Sequence, residues 1–318
     1  MRHLLLFILT LALAALALAV GRNWLAPADL LQMLAAGPEG AGRMIWSLRL
    51  PRLLVGLIAG AAFGLAGSVF QTLLRNPLAS PDVIGVSQTA ALGAVLALLT
   101  GLPVTLGAWV GGISAVVLLG WLAFHPRHGL DPRAMVLQGL ALAILAGAAT
   151  EVLILRAGDG MAGLAMTWLS GTLNGAGWPE VRRALWLLPL LLPLLLAGRA
   201  LDRLELGDDL ARALGLRVGL LRTALGLCAA LTAAGAVSLC GPLGFVALAA
   251  GPVARLVARG RPSPLAAALT GAAFVTLADI LCRAIASAAL LPTGLYTALI
   301  GAPVLILAVR RQARRDSL

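Results

Sequence analysis

Residues 49–87 read RLPRLLVGLIAGAAFGLAGSVFQTLLRNPLASPDVIGVS. From Leu53 to Leu73 the stretch carries no ionisable side chain, and about 20 predominantly apolar residues are what an α-helix needs to cross a bilayer. Gly56, Gly60 and Gly64 recur every fourth residue, with Gly67 following, so one helix face is bare of side chains. Such a stripe lets another helix approach to backbone contact in lipid. Asn76-Pro77 and Ser80-Pro81 then end the helix. A residue before proline is steered out of the α region, and Asn and Ser favour turns by bonding to nearby backbone. The segment reads as a closely packed transmembrane helix that stops in a tight hairpin.

Working outward, about ten apolar runs of this kind follow one another along the chain. They lie near Leu4–Val20, Leu53–Leu73, Val86–Leu99, Val104–Phe124, Ala134–Leu155, Ala184–Leu201, Leu220–Ser238, Gly241–Val257, Leu265–Ala288 and Leu295–Val309. The 318 residues are 60% hydrophobic and 12% charged, with a mean hydropathy of +0.98, which excludes an ordinary soluble domain. Continuous Leu, Ala, Gly and Val blocks with only 4% aromatic residues also exclude a transmembrane β-barrel, whose strands alternate and carry aromatic girdles. The fold class is all-α: one polytopic membrane domain over residues 1–318. Arg2-His3 before a run ending Ala17-Leu18-Ala19 also has the form of a signal peptide. Cleavage there would leave an odd number of spans, so the first run is expected to remain as a helix.

All 24 basic residues are arginine. With both termini cytoplasmic and an even number of spans, sixteen fall inside: Arg2, Arg75, Arg127, Arg133, Arg199, Arg203, Arg212, Arg217, Arg222, Arg255, Arg259, Arg261, Arg310, Arg311, Arg314 and Arg315. Arg22, Arg43, Arg49, Arg52, Arg156, Arg182, Arg183 and Arg283 fall outside. This bias follows the positive-inside rule, so the net charge of +11 reports topology and not nucleic-acid binding.

Few residues suggest chemistry. Cys228, Cys240 and Cys282 lack paired spacing, and His125 and His128 in an H-P-R-H turn offer only two ligands of the four that a zinc site takes. No metal or cofactor is expected. Glu151 sits late in the fifth run, and Asp279 with Arg283 forms an i,i+4 pair in the ninth; ionisable groups at such depth pair with each other or line an aqueous path. A P-loop motor needs a lysine on the phosphates. Lysine is absent from the chain, so a motor of that type must be another polypeptide.

Three motifs occur in order: Arg49-Leu50-Pro51-Arg52; the N-P-L-A-S-P-D-x-x-G loop holding Asn76, Pro77, Ala79, Pro81 and Gly85; and Leu206-Gly207-Asp208-Asp209-Leu210-Ala211-Arg212-Ala213-Leu214-Gly215. Together with Gly241-Pro242-Leu243-Gly244-Phe245-Val246, Ala254-Arg255-Leu256, Ala278-Asp279, Leu291-Pro292-Thr293-Gly294 and Gly301-Ala302-Pro303, they resemble the iron-siderophore, haem and cobalamin permease family of ABC importers, the FecCD type. The resemblance covers about residues 45–310. It implies a type II importer permease fold of ten helices in the bacterial inner membrane. The implied partners are a second permease subunit, identical or not, two cytoplasmic ABC ATPase subunits, and a periplasmic or lipid-anchored substrate-binding protein.

The resemblance also implies roles. A cytoplasmic segment over about 199–222 would couple to the ATPase through Leu206, Gly207, Asp208, Asp209, Ala211, Leu214 and Gly215. In that segment Leu206, Leu210 and Leu214 share a helix face, the two aspartates suit its N-terminus, and Gly215 suits its end. Arg49, Arg52 and Arg283 would receive acidic residues of the binding protein. Glu151 and Thr297, on the fifth and tenth helices, would line a path that opens alternately to the two sides. Gly251-Pro252 and Leu291 depart from the family pattern, which commonly has Pro-His and Glu there. A proton- or sodium-coupled secondary transporter using Glu151 and Asp279 is the alternative from another class.

Overall fold

The computed structural model describes residues 2–21, 24–125, 129–285 and 291–316. Arg22, the Pro126, Arg127 and His128 part of the histidine turn, and the last residues of the ninth run lie outside the described residues, as do the side chains of His125, Arg314 and Arg315. The chain begins with α1 (Arg2–Ala19), a short α2 (Pro27–Ala35), a 3₁₀ turn (Gly40–Gly42) and a π-helical turn (Ile45–Arg49) that feeds α3 (Leu50–Leu73). Then come α4 (Val86–Thr100), α5 (Val104–Ala123) and α6 (Pro132–Arg156). Between α5 and α6, β1 (Phe124–His125) and β2 (Gly129–Leu130) pair antiparallel, with Phe124 opposite Leu130. The surface helix α7 (Asp159–Leu169) leads to α8 (Trp178–Leu185), α9 (Leu188–Leu196), α10 (Gly198–Glu205) and α11 (Asp208–Ala213). The long helices α12 (Val218–Cys240), α14 (Pro264–Ile285) and α15 (Thr293–Asp316) complete the bundle, with the shorter α13 (Val246–Val257) between the first two.

Seven helices among the described residues are long and apolar enough to cross a membrane: α1, α3 with its π-helical lead, α5, α6, α12, α14 and α15. Two more runs appear as the shorter apolar helices α4 and α13. The remaining run, Ala184–Leu201, is not one helix but is divided among α8, α9 and α10. Proline explains the first break: the Pro189 ring would collide with the carbonyl of Leu185, where α8 ends, whereas α9 continues through Pro193 to Leu196. The eighth run also starts late, because Gly241 at φ +73° and Phe245 at φ +65° form an irregular turn before α13.

At the centre lies α3, in contact with α12, α13 and α14. Its glycine stripe is a packing device. A Cβ at Gly60 or Gly64 would collide with the backbone of Gly271 or Ala267 on α14, and one at Gly67 with the carbonyl of Ala247 on α13. Large side chains on the rest of α3, including Val55, Phe63, Leu65 and Phe70, are fully buried. By contrast, α1 and α6 leave most of their apolar surface uncovered within this chain, including Leu137, Ile144, Leu145 and Leu155 on α6.

Gly64→Leu is expected to lower the midpoint of thermal unfolding in detergent, at a cost of about 1–3 kcal/mol for overpacking. Gly160→Leu, where an added side chain meets open space on α7, should leave the midpoint unchanged.

Candidate functional site

Since α3 rises about 1.5 Å per residue, its 24 residues set Arg49 and Arg52 roughly 36 Å from Arg75. A charged cluster sits at each end. At the first, Arg52 donates through Nε and Nη2 to Asp279 Oδ1 at 2.8 and 2.6 Å and through Nη1 to Asn174 Oδ1 at 2.7 Å. Arg283, one helical turn on from Asp279, lies 3.0 Å from its other oxygen. The expected Asp279–Arg283 pair is therefore present, but Asp279, only 3% exposed, is shared with Arg52 from 227 residues earlier in the chain.

The arginines also close the end of α1. A helix leaves its last four carbonyls without intrahelical partners. Arg49 donates to Leu18 O at 2.6 Å and Ala19 O at 2.8 Å, while Arg283 donates to Ala17 O at 2.9 Å and Val20 O at 2.8 Å. Arg49 is 7% exposed. Arg49, Arg52 and Arg283 line one cavity of about 430 Å³ with Met44, Leu48 and Leu173. The charged side chains among the lining residues are these three arginines, two of which, Arg52 and Arg283, share the carboxylate of Asp279.

The opposite cluster forms around residues 206–215, where the coupling role is expected. Gly207, at φ +108°, turns the chain between α10 and α11, and Gly215, at φ +84°, ends α11. There the N–H of Leu216 reaches Ala211 O and that of Gly215 reaches Arg212 O, at 3.0 and 2.9 Å, the paired bonds of a Schellman stop. Ala211 is fully buried. Asp208 accepts from Arg75 Nη2 at 2.6 Å and from Arg222 Nη2 at 2.8 Å and Nη1 at 3.1 Å. Hydrogen bonds from Arg222, with the Arg75 charge, hold its carboxyl below the usual carboxylate range. Asp209 stands in solvent and pairs only with its neighbour Arg212, at 3.0 Å. Leu206, Leu210 and Leu214 are 56, 58 and 52% exposed. The segment thus faces two ways: Asp208 and Ala211 hold it to the bundle, and three leucines stand out from it.

The N-P-L-A-S-P loop, which connects α3 to α4, is braced from within. Asn76 Oδ1 accepts from Leu78 N–H at 2.9 Å, Ala79 N–H donates to Asn76 O at 3.1 Å, and Ile84 N–H donates to Ser80 O at 3.1 Å. Ala79 and Pro81 are buried while Pro77 is exposed. Gly85, at φ +81°, lies against the α6 backbone at Gly139 and Ala143, leaving no room for a Cβ. On α6 Glu151 is exposed, and on α15 Thr297 is buried with its hydroxyl donating to Gly294 O at 2.9 Å. The open face of α15 is carried by Leu295, Leu299 and Ile306. At the first departure from the family pattern, Gly251 faces Gln71, whose Nε2 donates to Leu248 O at 3.0 Å; any Cβ at 251 would displace that amide. At the second, the carbonyl of Leu291 accepts from Cys282 Sγ at 3.0 Å. Among the described residues no three His, Cys, Asp or Glu side chains gather as a metal site.

Sequence reasoning missed Arg75 and Arg222 as partners of Asp208, and Asn174 as a partner of Arg52. Arg75 carried one signal, its place beside Asn76-Pro77 where a helix stops; nothing local marks the other two.

Residues 8–311 match the FecCD transport family. The chain is 39% identical over 314 residues to the Fe(3+) dicitrate transport system permease protein FecD of Escherichia coli, covering 95% of this chain and 97% of that protein. It is 35% identical over 316 residues to the achromobactin transport system permease protein CbrC of Dickeya dadantii, covering 96% and 90%. Among solved structures it resembles a metal-chelate type ABC transporter in an inward-facing conformation, with a TM-score of 0.83 and 26% identity over 97% of this chain and 98% of that one.

Asp279→Asn leaves two half-buried guanidiniums without this counter-charge and is expected to destabilise the folded protein by up to about 3–5 kcal/mol, read as a fall in the thermal midpoint. Asp208 behaves differently with pH. Its carboxyl is depressed in the folded chain, so its contribution is fully present above the unfolded value of about 3.9 and is lost only as pH falls below it. Titration between pH 8 and 5 should therefore leave the attachment of α11 intact, measured as protection of its amides from hydrogen exchange.

Proposed function

The chain belongs to the FecCD transport family, and from that membership we propose that it carries a ferric chelate inward by alternating access. It is the permease subunit of an ABC importer of the iron-siderophore, citrate or cobalamin kind, a multi-pass inner-membrane protein. The observation that carries the mechanistic reading is the arrangement along α3: an arginine-lined cavity at one end and, at the other, a short helix flanked by turns, with Leu206, Leu210 and Leu214 exposed in this segment.

On this reading the Arg75 end is cytoplasmic, as are both termini, and Leu206, Leu210 and Leu214 seat in an apolar groove of a separate ATPase subunit. Gly207, Asp208, Ala211 and Gly215 shape and hold the segment, and Asp209 lies at its rim. The Arg49 end faces the periplasm. There the guanidiniums of Arg49, Arg52 and Arg283 that line the cavity receive acidic side chains of a substrate-binding protein, since charge complementarity sets the encounter rate and register of docking. The uncovered faces of α6 and α15 meet a second permease subunit, with Glu151 near the path between the two and Thr297 shaping α15 from within. Exposed Trp24, Trp178 and Trp186 suit the headgroup layer, where tryptophan concentrates. The chelate is read as ferric because Fe(3+) dicitrate is named for one of the curated relatives and a metal chelate for the structural one. The secondary-transporter alternative loses support at Asp279, whose two arginine partners leave little scope for carrying an ion.

The test is uptake of labelled ferric citrate, a ferric siderophore and cobalamin into proteoliposomes holding this chain with its ATPase, ATP inside and binding protein outside. ATP-dependent accumulation of a ferric chelate is expected, and uptake driven by a proton gradient without ATP would defeat the proposal. Leu210→Asp should abolish co-purification of the ATPase while leaving the thermal midpoint of the permease unchanged.

A further inference from the structure

Movement delivered to a short surface helix reaches the membrane only if that helix is firmly attached to the elements it must move. Leu206, Leu210 and Leu214, in and beside α11, are exposed, and the buried residue of α11 is Ala211. The attachment is ionic. Asp208 joins α11 to the end of α3 through Arg75 and to the start of α12 through Arg222. A second carboxylate, Glu205 at the end of α10, pairs with Arg255 near the end of α13. Arg255 also donates through Nη2 to Thr72 Oγ1 at 3.0 Å, in the last turn of α3. That turn is therefore gripped from two sides, by Arg75 toward Asp208 and by Thr72 toward Arg255 and Glu205.

The backbone at Arg75 supports this. After α3 the chain makes a Schellman stop, with Asn76 N–H on Gln71 O at 3.0 Å and Arg75 N–H on Thr72 O at 3.3 Å. Arg75 occupies the left-handed position at φ +48°, where glycine is favoured and a β-carbon costs roughly 1–2 kcal/mol. From that strained position its Nη2 also reaches Leu204 O, at 3.1 Å. Strain retained at such a point indicates a side chain with a task.

We propose that Arg75, Arg222, Glu205 and Arg255 are positioning residues that transmit displacement of the coupling segment to α3, α12 and α13. This rests on the importer reading above and extends it to residues that the leucine face does not include. The two carboxylates divide the work: Asp208 ties α11 to α3 and α12, and Glu205 ties α10 to α13 and, through Arg255, to the same turn of α3.

The test compares Arg75→Gly, Glu205→Gln, Glu205→Arg, Arg255→Glu and the Glu205→Arg/Arg255→Glu double variant in the intact importer complex, reading chelate transported per ATP hydrolysed. Arg75→Gly relieves the left-handed strain, so its folding should be undisturbed. Arg75→Gly and Glu205→Gln are expected to assemble with the ATPase and to hydrolyse ATP, with transport per ATP falling at least about fivefold, the lower end of allosteric coupling. The double variant should recover most of what either single reversal loses. Unchanged transport per ATP in Arg75→Gly and Glu205→Gln, or a double variant no better than the singles, would overturn the proposal. Wild-type complex without ATP-driven uptake would overturn the importer reading and this proposal with it, whereas wild type that transports alongside fully coupled variants overturns this proposal alone.

Discussion

The contact on which the rest of the structure depends is the side-chain-free seam between α3 and α14. In lipid there is no gain in hiding one apolar helix from another, so association rests on close packing. Gly60 and Gly64 on α3 and Gly271 on α14 bring the two backbones together where any Cβ would collide. Once α14 is seated, Asp279 comes level with Arg52 and the Arg52–Asp279 pair can form. Gly67 does the same for α13, which brings Arg255 to Thr72.

The two charged clusters are placed by that seam and differ in kind. Around Asp279 the ions are buried, and desolvation of buried charges offsets much of their attraction. Their value is geometric: four carbonyls at the end of α1 and the loop at Asn174 are held in register by three arginines. Around Asp208 the ions are partly open to solvent, and one carboxylate bridges helices that share little apolar contact with α11. The first cluster locks an end of the bundle. The second attaches α11 to it.

A transporter for bulky chelates needs a wide path, and little in the chain offers specific ligand chemistry. Among the described residues no metal-binding group of side chains forms, and the faces of α6 and α15 that would meet a second subunit are mostly leucine, isoleucine and valine. Such surfaces are compatible with either lipid or another helix, and on the proposed importer reading selection among chelates falls to a binding protein.

The amino-acid sequence by itself determined the all-helical membrane fold, because span length and composition are local properties. It also determined the stops at Asn76-Pro77 and Gly215, since each depends on a residue's own backbone preferences, whereas the expected single helix holding Leu206, Leu210 and Leu214 is cut by the Gly207 turn, which leaves only Leu210 within α11. Motif order was enough to place the family. The first break in residues 184–201 was legible in Pro189, but the length of the apolar run outweighed it. Only the tertiary structure decided who shares Asp279, that Asp208 is held by Arg75 and Arg222, and that Glu205 meets Arg255. Those partners lie on different helices, and their meeting depends on which backbones can approach closely enough, a property of packed surfaces that no single segment carries.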